Sequence, residues 1–281
     1  MPNLSFPHPP RRIVLEQASS EEMLERMRRW SKLEASNRQI VPHMGEYQRE
    51  YLVPPHRHSW AQFIYAEIGV FMMITSEGRW IVPPGHGFWV PAGVEHSMQT
   101  TGYVSIRAIY VRDGALPNLP ETIRVVGMSN LMRCLIEEAV HLAVEEEPPA
   151  DSRDGLVMAL IREEMGRLPE KPLGLPMPGD PKLASLCRQF LDQPTPHAPI
   201  DSWADAMAMS RRAFTRAFRR ETGLSLSAWR QQACLFAALP RLAGGEPVTS
   251  VAIDLGYDSV AAFTTMFRRL LGAPPSKYLA A

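Results

Sequence analysis

The 281-residue chain carries no net charge, holds only three cysteines and lacks any apolar run long enough to span a bilayer. Cys134, Cys187 and Cys234 are widely spaced, odd in number and set in apolar helical contexts, which argues against a disulfide framework and for buried, reduced thiols. The N-terminus, Met-Pro-Asn-Leu-Ser-Phe-Pro-His-Pro-Pro, has no apolar core of the kind a signal peptide needs, so the cytoplasm is the expected location, with no membrane partner. Disorder is not expected either, because 45% of the residues are hydrophobic and 21% charged, and the length leaves room for two cores.

The zero charge is a sum of unlike parts. Residues 182–281 hold 12 Lys and Arg against 7 Asp and Glu, whereas residues 1–181 hold 18 against 23. A basic C-terminal part favours a nucleic-acid partner for that part alone. It also contains a duplication: the segment Ser210 to Gly223 recurs 49 residues later as Ser259 to Gly272, with identical pairs Phe214/Phe263, Phe218/Phe267, Arg219/Arg268 and Arg220/Arg269 among others. Each copy reads as a helix, with Ser as N-cap, a Phe pair at i, i+4 forming a buried stripe, and Gly able to take the left-handed conformation after the last turn. A shorter helix precedes each, with Ile200, Trp203, Ala204 and Met207 in one copy and Val248, Val251, Ala252 and Leu255 in the other. These leading helices are offset by 48 residues rather than 49, so the second turn is one residue longer.

Short helix, tight turn and basic helix is the helix-turn-helix arrangement, whose second helix enters the major groove of double-stranded DNA. On the first basic helix, Ser210, Arg211, Arg212, Thr215 and Arg216 lie on the exposed face near its start, where an arginine can fork onto guanine. Arg219, Arg220, Arg268 and Arg269 come later and suit phosphates. The second reading face, Ser259, Val260, Ala261, Thr264 and Thr265, has no long donor. A connecting helix around Ser227 to Leu239 is expected to end or kink near residues 236–239 because Pro240 cannot supply a backbone N–H. A lone basic helix is more often a solvated face; duplication at this spacing is what argues otherwise.

From Gln39 to Val111 the pattern changes to short β-prone segments broken by Pro and Gly, an all-β sandwich or barrel. A hairpin is expected at Val70 to Thr75 and Arg79 to Val82. Residues His56, His58 and Gln62 share parity and would project from one face of a single strand, and Pro91-Ala92-Gly93 can turn the chain so that His96 joins them. Three imidazoles suit a divalent ion such as Zn²⁺, Fe²⁺ or Ni²⁺. Histidines in a barrel also serve as ordinary hydrogen-bonding groups. Trp60, Trp80 and Trp89 could wall a pocket for a planar small-molecule effector or pack the core. Two amphipathic helices follow, within residues 128–168, able to close the barrel or to meet a second copy as a homodimer. Five prolines between Pro169 and Pro181 read as a semi-rigid linker.

Two resemblances fit these residues. The phrases His56-x-His58-x3-Gln62 with Gly69, and Gly85-x5-Pro91-x-Gly93-x2-His96, resemble the paired motifs of the cupin barrel, with Gln62 where cupin enzymes carry Glu. Residues 183–279, including Glu221-Thr-Gly-Leu-Ser225, Val251-Ala-Ile-Asp-Leu-Gly-Tyr-Asp-Ser259 and Gly272-Ala-Pro-Pro-Ser-Lys-Tyr278, resemble the DNA-binding domain of the AraC/XylS family of transcription regulators. The resemblance implies an α+β chain: an N-terminal arm and helix (1–38), a cupin-like sensor with a helix pair (39–168), a linker (169–182) and an all-α double helix-turn-helix domain (183–281). It implies a regulator that is not an enzyme, with promoter DNA, an effector and, for an activator, RNA polymerase as partners. A cupin oxygenase or isomerase with an appended helical domain is the alternative that the three histidines keep open.

Overall fold

The computed structural model describes residues 16–17, 28, 31–48, 51–100, 102–115, 119–142 and 146–278. Most of the expected N-terminal arm and helix (1–38) falls outside them; of that stretch, Glu16 and Gln17 pair with Tyr51 and Leu52, and residues 31–35 are helical. The strands are β1 (Glu16–Gln17), β2 (Ile40–Tyr47), β3 (Tyr51–His56), β4 (Trp60–Ile68), β5 (Phe71–Thr75), β6 (Gly78–Val82), β7 (His86–Val90), β8 (His96–Thr100), β9 (Val104–Arg112) and β10 (Arg124–Gly127), with β11 (Glu170–Lys171) and β12 (Gly174–Pro176) further on. They form two sheets in the orders β1-β3-β8-β5-β6-β12 and β11-β10-β7-β4-β9-β2. The expected hairpin is present as β5 and β6, with Phe71 opposite Val82.

Strand β4 shows why the second sheet reads as nearly continuous apolar sequence. Trp60, Ile64 and Ala66 belong to the core between the sheets. Ala61, Phe63 and Tyr65 point the other way, into a second core with Met132, Ile136, Met158 and Ile161. Those last four lie on α1 (Asn130–Ala139) and α2 (Arg153–Met165), each capped by a serine, Ser129 and Ser152; Cys134, expected to be buried, falls on the exposed side of α1, whereas Cys187 and Cys234 are buried. The helix pair therefore covers the outer face of one sheet, and a strand buried on both faces loses its polar alternation.

The proline-rich stretch is not a free spacer. Its residues pair onto both sheets, β11 with β10 and β12 with β6, with Leu175 opposite Arg79. Prolines suit this place because an edge strand needs no N–H on its outer side.

Beyond it lie α3 (Pro181–Asp192), α4 (Ile200–Ala206), α5 (Arg211–Thr222), α6 (Leu226–Ala243), α7 (Val248–Asp254), α8 (Val260–Leu271) and α9 (Pro275–Tyr278). The connecting helix α6 does not end at residues 236–239 but runs through Pro240 as far as Ala243. Pro240 falls within the last four residues of the helix, and the Pro240 carbonyl still accepts from Gly244 N at 2.9 Å. Arg241 ties that end down through Glu246 at 2.7 Å and Asp254 at 2.5 Å. Pro240 has no N–H to offer the carbonyl four residues back, and the helix gives up that one bond without ending.

Candidate functional site

The two copies fold alike. Ser210 Oγ accepts from Ala213 N at 3.3 Å and Ser259 Oγ from Ala262 N at 3.1 Å, so both hydroxyls are engaged in capping. Gly223 and Gly272 close the helices at φ of 72° and 82°, where a side chain would be strained. Phe214, Phe218, Phe263 and Phe267 are fully buried. Each buried Phe contributes roughly 1.5–3 kcal/mol, which makes this stripe the anchor that orients the opposite face.

The turns match too. Met209 N bonds to Ala204 O at 2.9 Å and Tyr257 N to Ala252 O at 3.0 Å, the six-residue closure of a helix end. The residue inside that closure is left-handed in both copies: Gly256 at φ 79° and Ala208 at φ 54°, the latter alone among described non-glycine residues. The extra residue of the second copy lies after this point, before Ser259. A left-handed alanine costs roughly 1–2 kcal/mol, partly offset because glycine loses about 0.4–1 kcal/mol more entropy on folding. Ala208→Gly is therefore expected to raise stability by about 0.5–1 kcal/mol in urea titration. A lower midpoint for the variant would contradict that strain.

The side chains for DNA differ between copies. Arg211, Arg212, Thr215, Arg216, Arg219 and Arg220 are all exposed. Arg211 approaches Asp201 at 3.9 Å and Arg220 approaches Glu221 at 3.4 Å; Arg212 and Arg216 have no ion pair among the described residues. On α8, Val260, Ala261, Thr265 and Arg268 are exposed, Thr264 is half-buried, and Arg269 bonds to Gln231. Thr215 and Thr265 donate to the carbonyls four residues back, Arg211 O at 2.8 Å and Ala261 O at 2.9 Å, which turns their methyl groups into the free part. Sequence reading passed over Ile253, 64% exposed on α7, which adds to the apolar character of the second copy. The only sequence hint was an isoleucine where the first copy has Asp205.

In the barrel, His56, His58 and His96 converge, with one ring nitrogen of each within 4.8 Å of the others. The route differs from the expected one. His56 ends β3 in one sheet, residues 57–59 cross over, and Gln62 lies on β4 in the other sheet. Shared parity on a single strand is not what gathers them; a corner between sheets is. His96 stands opposite His56, and the turn before it is pinned by Gly93 N to His58 O at 2.9 Å.

Each imidazole is oriented in the same way. Nδ1 of His56 meets Pro54 O at 2.8 Å, that of His58 meets Trp60 O at 2.6 Å and that of His96 meets Val94 O at 2.8 Å. A carbonyl can only accept, so Nδ1 carries the proton and Nε2 presents its lone pair. The Nε2 atoms of His58 and His96 are buried without a hydrogen-bond partner. Burial, and then the neighbouring His56, push His96 down to about 3. Burial likewise lowers His58, opposed by the Trp60 carbonyl and Gln62. His58 and His96, held neutral by burial and each with an orphaned lone pair, fit a divalent ion. A tetrahedral zinc sets its nitrogens about 3.3 Å apart, so the three would have to draw inward. Tyr110, edge-on to His58 at 5.4 Å, and Glu34, bonded to Ser59 at 2.6 Å, border the cluster and were not visible in sequence, being distant along the chain.

The three tryptophans do not form one wall. Trp60 and Trp80 belong to the core between the sheets, whereas Trp89 faces the helix pair and donates to Pro120 O at 2.7 Å. Odd-numbered positions of β7 point outward, which removes Trp89 from any interior pocket.

Comparison with known proteins bears on both halves. A family model described as the AraC-like ligand binding domain matches residues 40–171, and one described as a helix-turn-helix domain matches residues 203–281. The HTH-type transcriptional regulator NimR of Escherichia coli is 33% identical over 231 residues, covering 82% of this chain and 84% of its own. The arabinose operon regulatory protein of Salmonella typhimurium is 28% identical over 109 residues, 37% of each chain. Among solved structures, ToxT from Vibrio cholerae aligns over 86% of this chain and 98% of its own, with TM-score 0.36 and 10% identity.

Proposed function

The chain belongs to the AraC family of helix-turn-helix transcription regulators with a ligand-binding domain, and from that premise we propose how its two halves divide the work. The first copy reads bases through Arg212 and Arg216, with Arg211 and Thr215 beside them. The second copy, through Val260, Ala261, Thr264 and Thr265, meets thymine methyls and backbone. Arg219, Arg220, Arg268 and Arg269 take phosphates, and the two helices occupy successive major grooves about 34 Å apart. The observation that carries this is the unequal exposed faces on two equally capped helices.

A divalent ion held by His56, His58 and His96, with Gln62 beside His58, is the effector or part of its site. The three histidines, from the end of β3, the corner at residues 57–59 and the start of β8, would hold such an ion, which would supply a fixed positive centre there. Gln62 is neutral and the rings are fixed by backbone carbonyls, which supports binding over catalysis. The protein then acts by shifting a population between arrangements of its reader, not by turning over a substrate. The exposed Leu131, Leu156 and Leu160 on α1 and α2 make a face for a second copy; sedimentation as a monomer at micromolar concentration would remove it. No described helix is long and apolar enough to cross a membrane.

The test is a mobility-shift titration of the full chain on DNA upstream of its own and neighbouring genes, with Zn²⁺, Fe²⁺ or Ni²⁺ present or chelated. Salt-sensitive binding to one fragment over scrambled DNA supports the reading; equal affinity for both removes it.

A further inference from the structure

The reader is fastened to the barrel at several places among the described residues. From α6, Trp229 Nε1 donates to Pro176 O at 2.8 Å and Gln232 Nε2 donates to Pro172 O at 3.1 Å. Pro240 borders a small apolar gap together with Val70, Phe71, Met72, Ile81 and Gln99. From α9, the Tyr278 hydroxyl meets His86 Nδ1 at 3.1 Å. The first of these goes through β12, a strand that is part of the barrel and yet leads directly into the reader.

That strand is closely seated. A Cβ at Gly78 would stand 2.7 Å from Leu175 O, and one at Gly174 would stand 2.7 Å from Trp80 Nε1. Ile81 N bonds to Leu173 O at 3.2 Å and Met177 N to Glu77 O at 3.0 Å, which extends the pairing at both ends. The turn between β5 and β6 also touches the histidine cluster. Thr75 is the direct partner of His96 across β5 and β8. Its Oγ1 accepts from Glu77 N at 3.1 Å, and the Glu77 carbonyl holds Met177. Four residues, His96, Thr75, Glu77 and Met177, therefore span from the cluster to the strand that holds α6.

We propose that the turn Thr75–Gly78 and strand β12 form a strap through which the state of the three-histidine cluster governs how firmly the DNA reader is held on the barrel. The metal arm of this rests on the reading of the cluster as a metal site. An ion that draws the three nitrogens together stiffens the rim beside Thr75, and local opening of the strap becomes rarer. With the strap closed, α6 carries both reading helices as one body with the barrel. With it open, the reader is tethered only through the remaining contacts.

Hydrogen exchange on the full chain, with Zn²⁺ alone as probe, tests both arms. Saturating Zn²⁺ is expected to slow the Met177 amide at least about fivefold in the wild type. Thr75→Val, which leaves the histidines in place, is expected to bind Zn²⁺ equally by calorimetry and to lose that slowing. Zn²⁺ that binds without altering Met177, or a Thr75→Val protein with the full response, overturns the coupling. Without metal, Gly78→Val is expected to speed exchange at Met177 and Ile81 at least about tenfold and to enlarge the radius seen by small-angle scattering. Wild-type exchange and radius overturn the strap itself, and Gln232→Leu serves the same arm if Gly78→Val does not fold. If Zn²⁺ does not bind the wild type at all, the metal reading fails and the coupling with it, and the Gly78→Val arm still decides the strap.

Discussion

Arg216→Ala is expected to weaken specific operator binding by roughly 5- to 150-fold at fixed salt, the span of 1–3 kcal/mol that one good arginine–guanine fork supplies. Thr265→Ala is expected to cost less than about threefold, because a thymine methyl contact is worth less than a charged fork. The structure sharpens this asymmetry. Thr265 already spends its hydroxyl on Ala261 O, and Arg216 is exposed with no ion pair among the described residues. Binding to scrambled DNA should change little for Thr265→Ala and modestly for Arg216→Ala, since one positive charge is lost. Equal losses for the two variants on the operator would remove the division of labour between the copies.

The second large effect is at the histidine cluster. Wild-type protein is expected to retain one divalent ion per chain in equilibrium dialysis, and His96→Ala to lower affinity at least about 100-fold, more than the loss typical of removing a partner outside the ligand set. Metal at 100 times its Kd stabilises a binding protein by about 2.7 kcal/mol, which corresponds to roughly 5–10 °C in the barrel's Tm. That gain should vanish in His96→Ala. His58→Ala serves as the companion, since both rings hold an orphaned Nε2. A wild-type protein whose metal content matches that of His96→Ala would return these residues to the role of core histidines.

Much of the reader was legible because its signals are local. A serine at the start, glycine after the last turn and phenylalanines four apart specify α5 and α8 within a dozen residues each, and the 48-versus-49 offset located the longer turn. The left-handed Ala208 was not legible, since nothing about an alanine announces a positive φ. Pro240 does not end α6 because burial of Ala238, Leu239 and Leu242 around it offsets the one backbone bond it gives up, and the helix closes only at Gly244 and Gly245, where Glu246 N bonds back to Arg241 O.

The barrel shows where local reading stops. Residue types alone determined that β-strands, a three-histidine set and a basic duplicated reader are present, because composition, caps and period need no partner to be recognised. Tertiary structure alone decided that His56 and Gln62 sit in different sheets, that Trp89 faces the helices, and that the proline-rich stretch is barrel wall. A period of two says which side chains share a face. When both faces are buried, only pairing with distant strands decides which face looks inward and where the chain changes sheets.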